Sequence, residues 1–172
     1  LSFDFDAISG WIARGMTSPG PISRGEFGPH VGVPRILALL ERHGIKSSWY
    51  IPGHTLETYP RACAEVVEHG HEIGHHGWTH RLPVTMERDE EEEEIVLGNE
   101  SIKRISGKAS RGYRSPAWDL SPNSTEPLLH HGIQSDRSMT APDFARHFPP
   151  QRPRTELQTP ARPGPQTTPP QR

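Results

Sequence analysis

The sequence is short of the residues that would support the simplest readings. Among 172 residues there is one cysteine, Cys63, so neither an internal disulfide framework nor a cysteine zinc cluster can form. Set in a helical pattern, that thiol is expected to be buried and ordinary. No run of 18 apolar residues occurs, so no membrane-spanning helix is expected. No secretory leader is read either, which makes the cytoplasm the expected compartment. Charge of one sign is also lacking: 19 Lys and Arg face 21 Asp and Glu, for a net charge of -2. That balance gives no electrostatic case for nucleic acid or an anionic membrane surface. Apolar residues make up only 31% of the chain, whereas prolines number 19, roughly twice their ordinary share.

The shortage is uneven. Beyond Phe148 the chain reads PPQRPR, then PARPGP, with almost nothing apolar; such a segment cannot bury enough surface to offset its ordering entropy. Residues 149–172 are therefore expected to form a disordered Pro/Arg/Gln-rich tail, with a PxxP spacing at Pro160 to Pro163 of the kind an SH3-type groove binds. Residues 1–148 are expected to form one domain.

Within that domain a unit recurs. Residues 1–5 read as a strand ending in the acidic pair Asp4 and Asp6, and residues 10–32, rich in Gly, Pro and Ser, as a long loop. Helices follow over about 33–43, 60–69, 86–105 and 122–131. Each stops at a glycine and is followed by a strand, at 45–51, 71–74, 111–114 and Ile133. Helix, glycine, strand, repeated four times, implies parallel strands joined by right-handed crossovers, an α/β fold. His43, His69, His130 and His131 sit at predicted helix C-termini, where a cationic or donor group suits the dipole, and they are set aside as ligands on that ground. The run Asp89 to Glu94 falls at the start of the third helix, where negative charge is favourable, and reads as a solvated face.

The chemistry is concentrated in His71-Glu-Ile-Gly-His-His-Gly-Trp-Thr-His80. His76 and His80 are four apart, so one turn or a tight loop brings both imidazoles to one side, and imidazole is the commonest protein donor to zinc-like ions. Asp4 and Asp6, two apart on a strand, point to the same face; one can ligate a metal while the other handles a proton. A third stretch, Arg111-Gly-Tyr-Arg-Ser-Pro-Ala-Trp-Asp119, again follows a strand. There Arg114 can pair with a carboxylate and hold it ionised, and Trp118 offers a flat wall for a sugar ring. All three stretches fall just after strands, which is the catalytic face in α/β barrels.

Together these stretches resemble the polysaccharide deacetylases of the NodB-homology type, carbohydrate esterase family four. SFDFDA, GEFGPHVGVPRIL and SSWYIPGHTLETYP are similar to the peptidoglycan-deacetylase and allantoinase-like branch, and the likeness runs from Leu1 to about Phe144. The resemblance implies a partial, distorted (β/α) barrel. It implies a divalent metal, zinc first with cobalt or nickel as alternatives, on Asp6, His76 and His80. It makes Asp4 the general base that takes a proton from the attacking water, Arg114 its orienting partner, Trp118 a wall of the groove and Ala117 the source of an N–H for the oxyanion. His54, after Ile51, becomes a substrate contact, and His75 is expected to face away. The bond cut is the N-acetyl amide of an amino sugar or, in the allantoinase-like alternative, a small amide. Whether subunits associate is left open.

Two departures accompany the resemblance. Arg81 stands where this branch carries an acid after the second metal histidine. The later strands, and the leucine–histidine stretch whose imidazole serves many members as general acid, have no counterpart before the tail. The expected alternative to an enzyme is thus a shortened relative that binds metal or glycan without turnover.

Overall fold

The computed structural model describes residues 1–139; the tail at 149–172 and the last nine residues of the expected domain lie outside the described residues. The repeating unit is realised as five parallel strands in sequential order, β1 (Ser2–Asp4), β2 (Ser48–Ile51), β3 (Glu72–His75), β4 (Gly112–Tyr113) and β5 (Ser135–Asp136). Sequential order with right-handed crossovers puts the connecting helices on one face, and the sheet curves as half of a (β/α) barrel. The helices are α1 (Ser9–Ile12), α2 (Pro19–Phe27), α3 (Val33–Arg42), α4 (Gly53–Thr58), α5 (Pro60–Glu68), α6 (Arg88–Ser106) and α7 (Thr125–His130).

The register decides which residues meet the helices. Phe3, Trp49 and Ile73 are paired neighbours across three strands. They pack with Leu37, Leu40, Leu56, Cys63, Val66 and Ile102 from the helices in the main core. Each fully buried aliphatic or aromatic side chain there contributes about 1.5–3 kcal/mol. One step along each strand, Ser2, Ser48 and Glu72 form the row on the opposite face. That face is polar, and a cavity of about 460 Å³ opens among Ser2, Ser48, Tyr50 and Glu72. A parallel sheet covered on both sides would carry apolar residues there.

The expected helix stops hold: Gly107 closes α6 in a left-handed conformation (φ 77), and Gly44, Gly70 and Gly132 likewise have positive φ. His69 donates from Nδ1 to the Glu65 carbonyl in the last turn of α5, 2.8 Å away, as the dipole argument requires. Three expectations need correction. Residues 10–32 are not a long loop: α1 ends at Ile12, and from Pro19 on α2 and a π-helical turn (Gly28–Gly32) run directly into α3. Pro19 sits in the first turn of α2 and Pro29 in that of the π turn, positions without an intrahelical N–H partner, so these prolines start helices where they were read as breaking them. Residues 53–58, left without an element between the expected strand at 45–51 and helix at 60–69, form α4. The acid run, finally, is only partly solvated: Glu91 and Glu94 lie on the buried face of α6 with Ile95, Gly98, Ser101 and Ile102.

Candidate metal and hydrolytic site

The carboxyl ends of β1, β3 and β4 bring three separate stretches together. Asp6, His76 and His80 each offer a ligand atom within 4.8 Å of the other two. His76 Nε2 stands 3.4 Å from Asp6 Oδ1, and His80 Nε2 stands 3.4 Å from Asp6 Oδ2. Tetrahedral donors about 2.0–2.1 Å from a zinc-like ion are themselves about 3.4 Å apart. The two imidazoles are nearly fully buried and meet edge to face with centroids 5.0 Å apart.

The fit to a cation can be tested on protonation. His76 Nδ1 lies 2.6 Å from the backbone carbonyl of Arg114, and a carbonyl can only accept, so Nδ1 carries the hydrogen. Burial outweighs the neighbouring Asp6 charge and keeps His76 below the usual imidazole range, so Nε2 bears a lone pair. That lone pair faces Asp6 Oδ1, a buried oxygen with no hydrogen-bond partner. Burial alone would raise the Asp6 pKa, but the His80 hydrogen bond and nearby positive charge, Arg14 included, lower it overall, so the carboxylate is ionised. A carboxylate and a lone pair facing each other without a proton between them suit a divalent ion.

Beside this group, the Arg114 guanidinium donates from Nη1 to Asp4 Oδ1 and from Nη2 to Ser2 Oγ at 2.8 Å. It also lies over the Tyr50 ring, 4.2 Å from the centroid. Arg114 therefore reaches Asp4 with its side chain and His76 with its carbonyl. Among the described residues, four that are not glycine have positive φ: Ala7, His80, Ala117 and Trp118. All four belong to the loops of this site, and backbone strain of about 1–3 kcal/mol per residue is characteristic of functional sites.

The loop carrying His80 is held by a residue the sequence reading passed over. Glu94 Oε2 accepts from the backbone N–H groups of Trp78 (2.7 Å) and Thr79 (2.8 Å), and Oε1 accepts from the Thr79 hydroxyl (2.5 Å). Helical spacing was the available signal: Glu91, Glu94, Ile95, Gly98 and Ile102 recur at the intervals of one helix face, but five consecutive glutamates concealed it. Glu91 likewise accepts from Ser121 and Ser124 before α7. His75 faces away from the site, as expected: fully buried, it donates from Nε2 to Ile95 O (3.0 Å) and accepts Gly77 N–H at Nδ1 (3.1 Å). Desolvation lowers its pKa to about 4.

The remaining expected site residues are placed less decisively. Ala117 and Trp118 occupy a short 3-10 turn after β4 (Pro116–Trp118), with the Trp118 side chain 57% exposed and free to stack. His54 lies in the first turn of α4, and its Nδ1 is bonded to Ser9 Oγ at 2.9 Å. Its link to Asp6 is indirect, through the Ser9 N–H and Thr55 Oγ1, both of which donate to the Asp6 carbonyl. Arg81 reaches away toward Glu90, 3.5 Å distant. A second donor group, Glu92, His130 and His131, lies between α6 and α7. There the rings are stacked, 18° from parallel, so their lone pairs run side by side, and Arg88 Nη1 already holds Glu92 at 3.0 Å. His131 pairs with Glu92 at 3.0 Å, so it is engaged in more than the helix end.

Residues 26–135 match the family model described as polysaccharide deacetylase. The chain belongs to the polysaccharide deacetylase family. A peptidoglycan deacetylase of Helicobacter pylori is 39% identical over 147 residues, an alignment covering 84% of this chain and 50% of that protein. A peptidoglycan deacetylase-like protein of Gibberella zeae is 32% identical over 153 residues, covering 86% and 45%. Among solved structures, a polysaccharide deacetylase candidate from Mycobacterium smegmatis superposes with a TM-score of 0.75 at 30% identity, covering 79% of this chain and 49% of that one. The chain thus spans about half the length of the deacetylase-family relatives it matches. The shared fold accounts for the sequential parallel sheet and for the clustering of site loops at its carboxyl edge.

Proposed function

We propose that this chain carries the metal and water-handling part of a deacetylase site that hydrolyses the N-acetyl amide of an amino-sugar polysaccharide, giving a free amine and acetate. The convergence of Asp6, His76 and His80 beside the Asp4–Arg114 pair is the observation that carries the reading. A divalent ion, zinc first, held by Asp6, His76 and His80 supplies Lewis acidity, polarising a carbonyl and lowering the pKa of water. Asp4, oriented by the Arg114 guanidinium, takes a proton from the attacking water as general base. The Ala117 N–H, in a turn already left-handed, faces the developing oxyanion. Trp118 gives the sugar ring a flat surface. The peptidoglycan names of the relatives make a bacterial-type cell-wall glycan the first substrate to try. Release of acetate from N-acetylated glycan oligomers, with zinc added or chelated, tests it; zinc-dependent release that disappears in Asp4→Asn is the expected result.

A second reading, metal or glycan binding without turnover, is favoured by the polar, helix-free face of the sheet. Among the described residues β1 and β5 each pair on one side only. Zinc binding with no acetate release from glycans or from small amides selects that reading.

A further inference from the structure

Between the two proposed metal histidines runs a tight segment, Gly77-Trp78-Thr79, and five of its backbone polar groups are hydrogen-bonded. Gly77 N–H donates to His75 Nδ1 at 3.1 Å. The Gly77 and Trp78 carbonyls accept the N–H groups of Gly53 (3.1 Å) and His54 (2.8 Å), in the first turn of α4. The Trp78 and Thr79 N–H groups both go to one oxygen of Glu94 on α6. The segment is therefore clamped between two helices, α4 donating and α6 accepting. His80 follows at once with a φ of 63, a conformation a non-glycine residue keeps only when its surroundings impose it. Glu94 is 8% exposed, and its three partners are uncharged, so a buried carboxylate is kept here for its acceptor geometry. An ion pair elsewhere would not require it to be buried.

We infer that Glu94 is the positioning residue for His80: by holding the Trp78 and Thr79 amides it fixes the left-handed turn that aims the second imidazole at Asp6. The inference rests on the reading of Asp6, His76 and His80 as metal ligands. It makes a distinction that a general stabilising role does not. A glutamine at position 94 keeps one carbonyl oxygen for both amides and turns its NH2 toward a Thr79 hydroxyl that can rotate to accept it, whereas alanine leaves both amides unpaired.

The test uses the full chain and two readouts. Hydrogen exchange at the Trp78 and Thr79 amides is followed without metal, and zinc affinity is measured by calorimetry, for wild type, Glu94→Gln and Glu94→Ala. Asp6→Ala serves as the reference without a site. Expected are loss of protection at those two amides in Glu94→Ala with β3 amides still protected, and zinc affinity lower by about 10- to 100-fold, the usual scale for an outer-shell partner. Glu94→Gln should stay close to wild type on both readouts. If Glu94→Ala does not fold, Thr79→Ala, which removes one of the three bonds, should give a smaller loss in zinc affinity. Unchanged affinity in the variant that folds overturns the inference, as does an equal loss in Glu94→Gln, which would assign the effect to charge. If wild type binds no more zinc than Asp6→Ala, the ligand reading itself fails and takes the inference with it.

Discussion

The Nδ1–H of His76 donates to the backbone carbonyl of Arg114 at 2.6 Å, while the guanidinium of that same arginine holds Asp4. One residue at the end of β4 thus orients a proposed ligand through its main chain and a proposed base through its side chain. The two functions can be separated, because substitution alters the second and leaves the first. Arg114→Lys should bind zinc like the wild type by calorimetry. Its turnover should fall about 10- to 100-fold, since an ammonium cannot reproduce the fork onto Asp4 and Ser2. Asp4→Asn should lose about 10²- to 10⁴-fold in kcat, again with zinc retained.

Zinc should also stabilise the fold. A ligand that binds only the native state at 100 times its Kd adds about 2.7 kcal/mol, so the thermal midpoint should rise on adding zinc and return with a chelator. Asp6→Ala and His76→Ala should abolish the rise. A shift that persists in both variants would place the ion elsewhere, with Glu92, His130 and His131 as the other donor group.

Two glycines in helices should respond in opposite directions. A Cβ at Gly98 would stand 2.3 Å from His75 Nε2, the atom that donates to Ile95 O, so Gly98→Ala should cost about 1–3 kcal/mol in urea denaturation. Gly20, in α2, has nothing within 4 Å of its would-be Cβ, and Gly20→Ala should gain about 0.5–1 kcal/mol from helix propensity.

Cys63 is fully buried, and burial pushes its thiol up to about 12 from an ordinary 9.0. Thiol reagents should therefore label it only in denaturant. The unfolded chain sheds this proton near 9.0 and the folded chain near 12. The associated stability is thus complete below 9.0 and is lost as pH rises toward 12. Across that window the advantage of wild type over Cys63→Ala should shrink by about 1.4 kcal/mol per pH unit.

Much of this architecture was legible because its signals are local. Helix-ending glycines and apolar strands marked the helix–strand alternation, and a resemblance carried by three short stretches pointed to Asp6, His76 and His80, which the fold brings together. What stayed hidden depends on direction. Pro19 and Pro29 look like breakers in a composition count, yet in a helix's first turn they are neutral or helpful, so α2 and the π turn were read as loop. Glu91 and Glu94 are identical in type to Glu90 and Glu93; only their phase on α6 turns them inward. His54 was read as a substrate contact from its place after Ile51, but its partner Ser9 is 45 residues away in sequence, a contact that no local pattern encodes.

His75 and His76 are neighbours in sequence that serve opposite sides of β3, one locked in the dry layer beneath α6 and the other turned to Asp6. Because side chains alternate at every step along an extended chain, a single-residue change upstream in β3 shifts which residue fills each place. An insertion would put Gly74 in the buried place of His75, and a deletion would put Gly77 opposite Asp6. Descendants of this sequence can therefore vary in side chain along β3 far more readily than they can vary in its length.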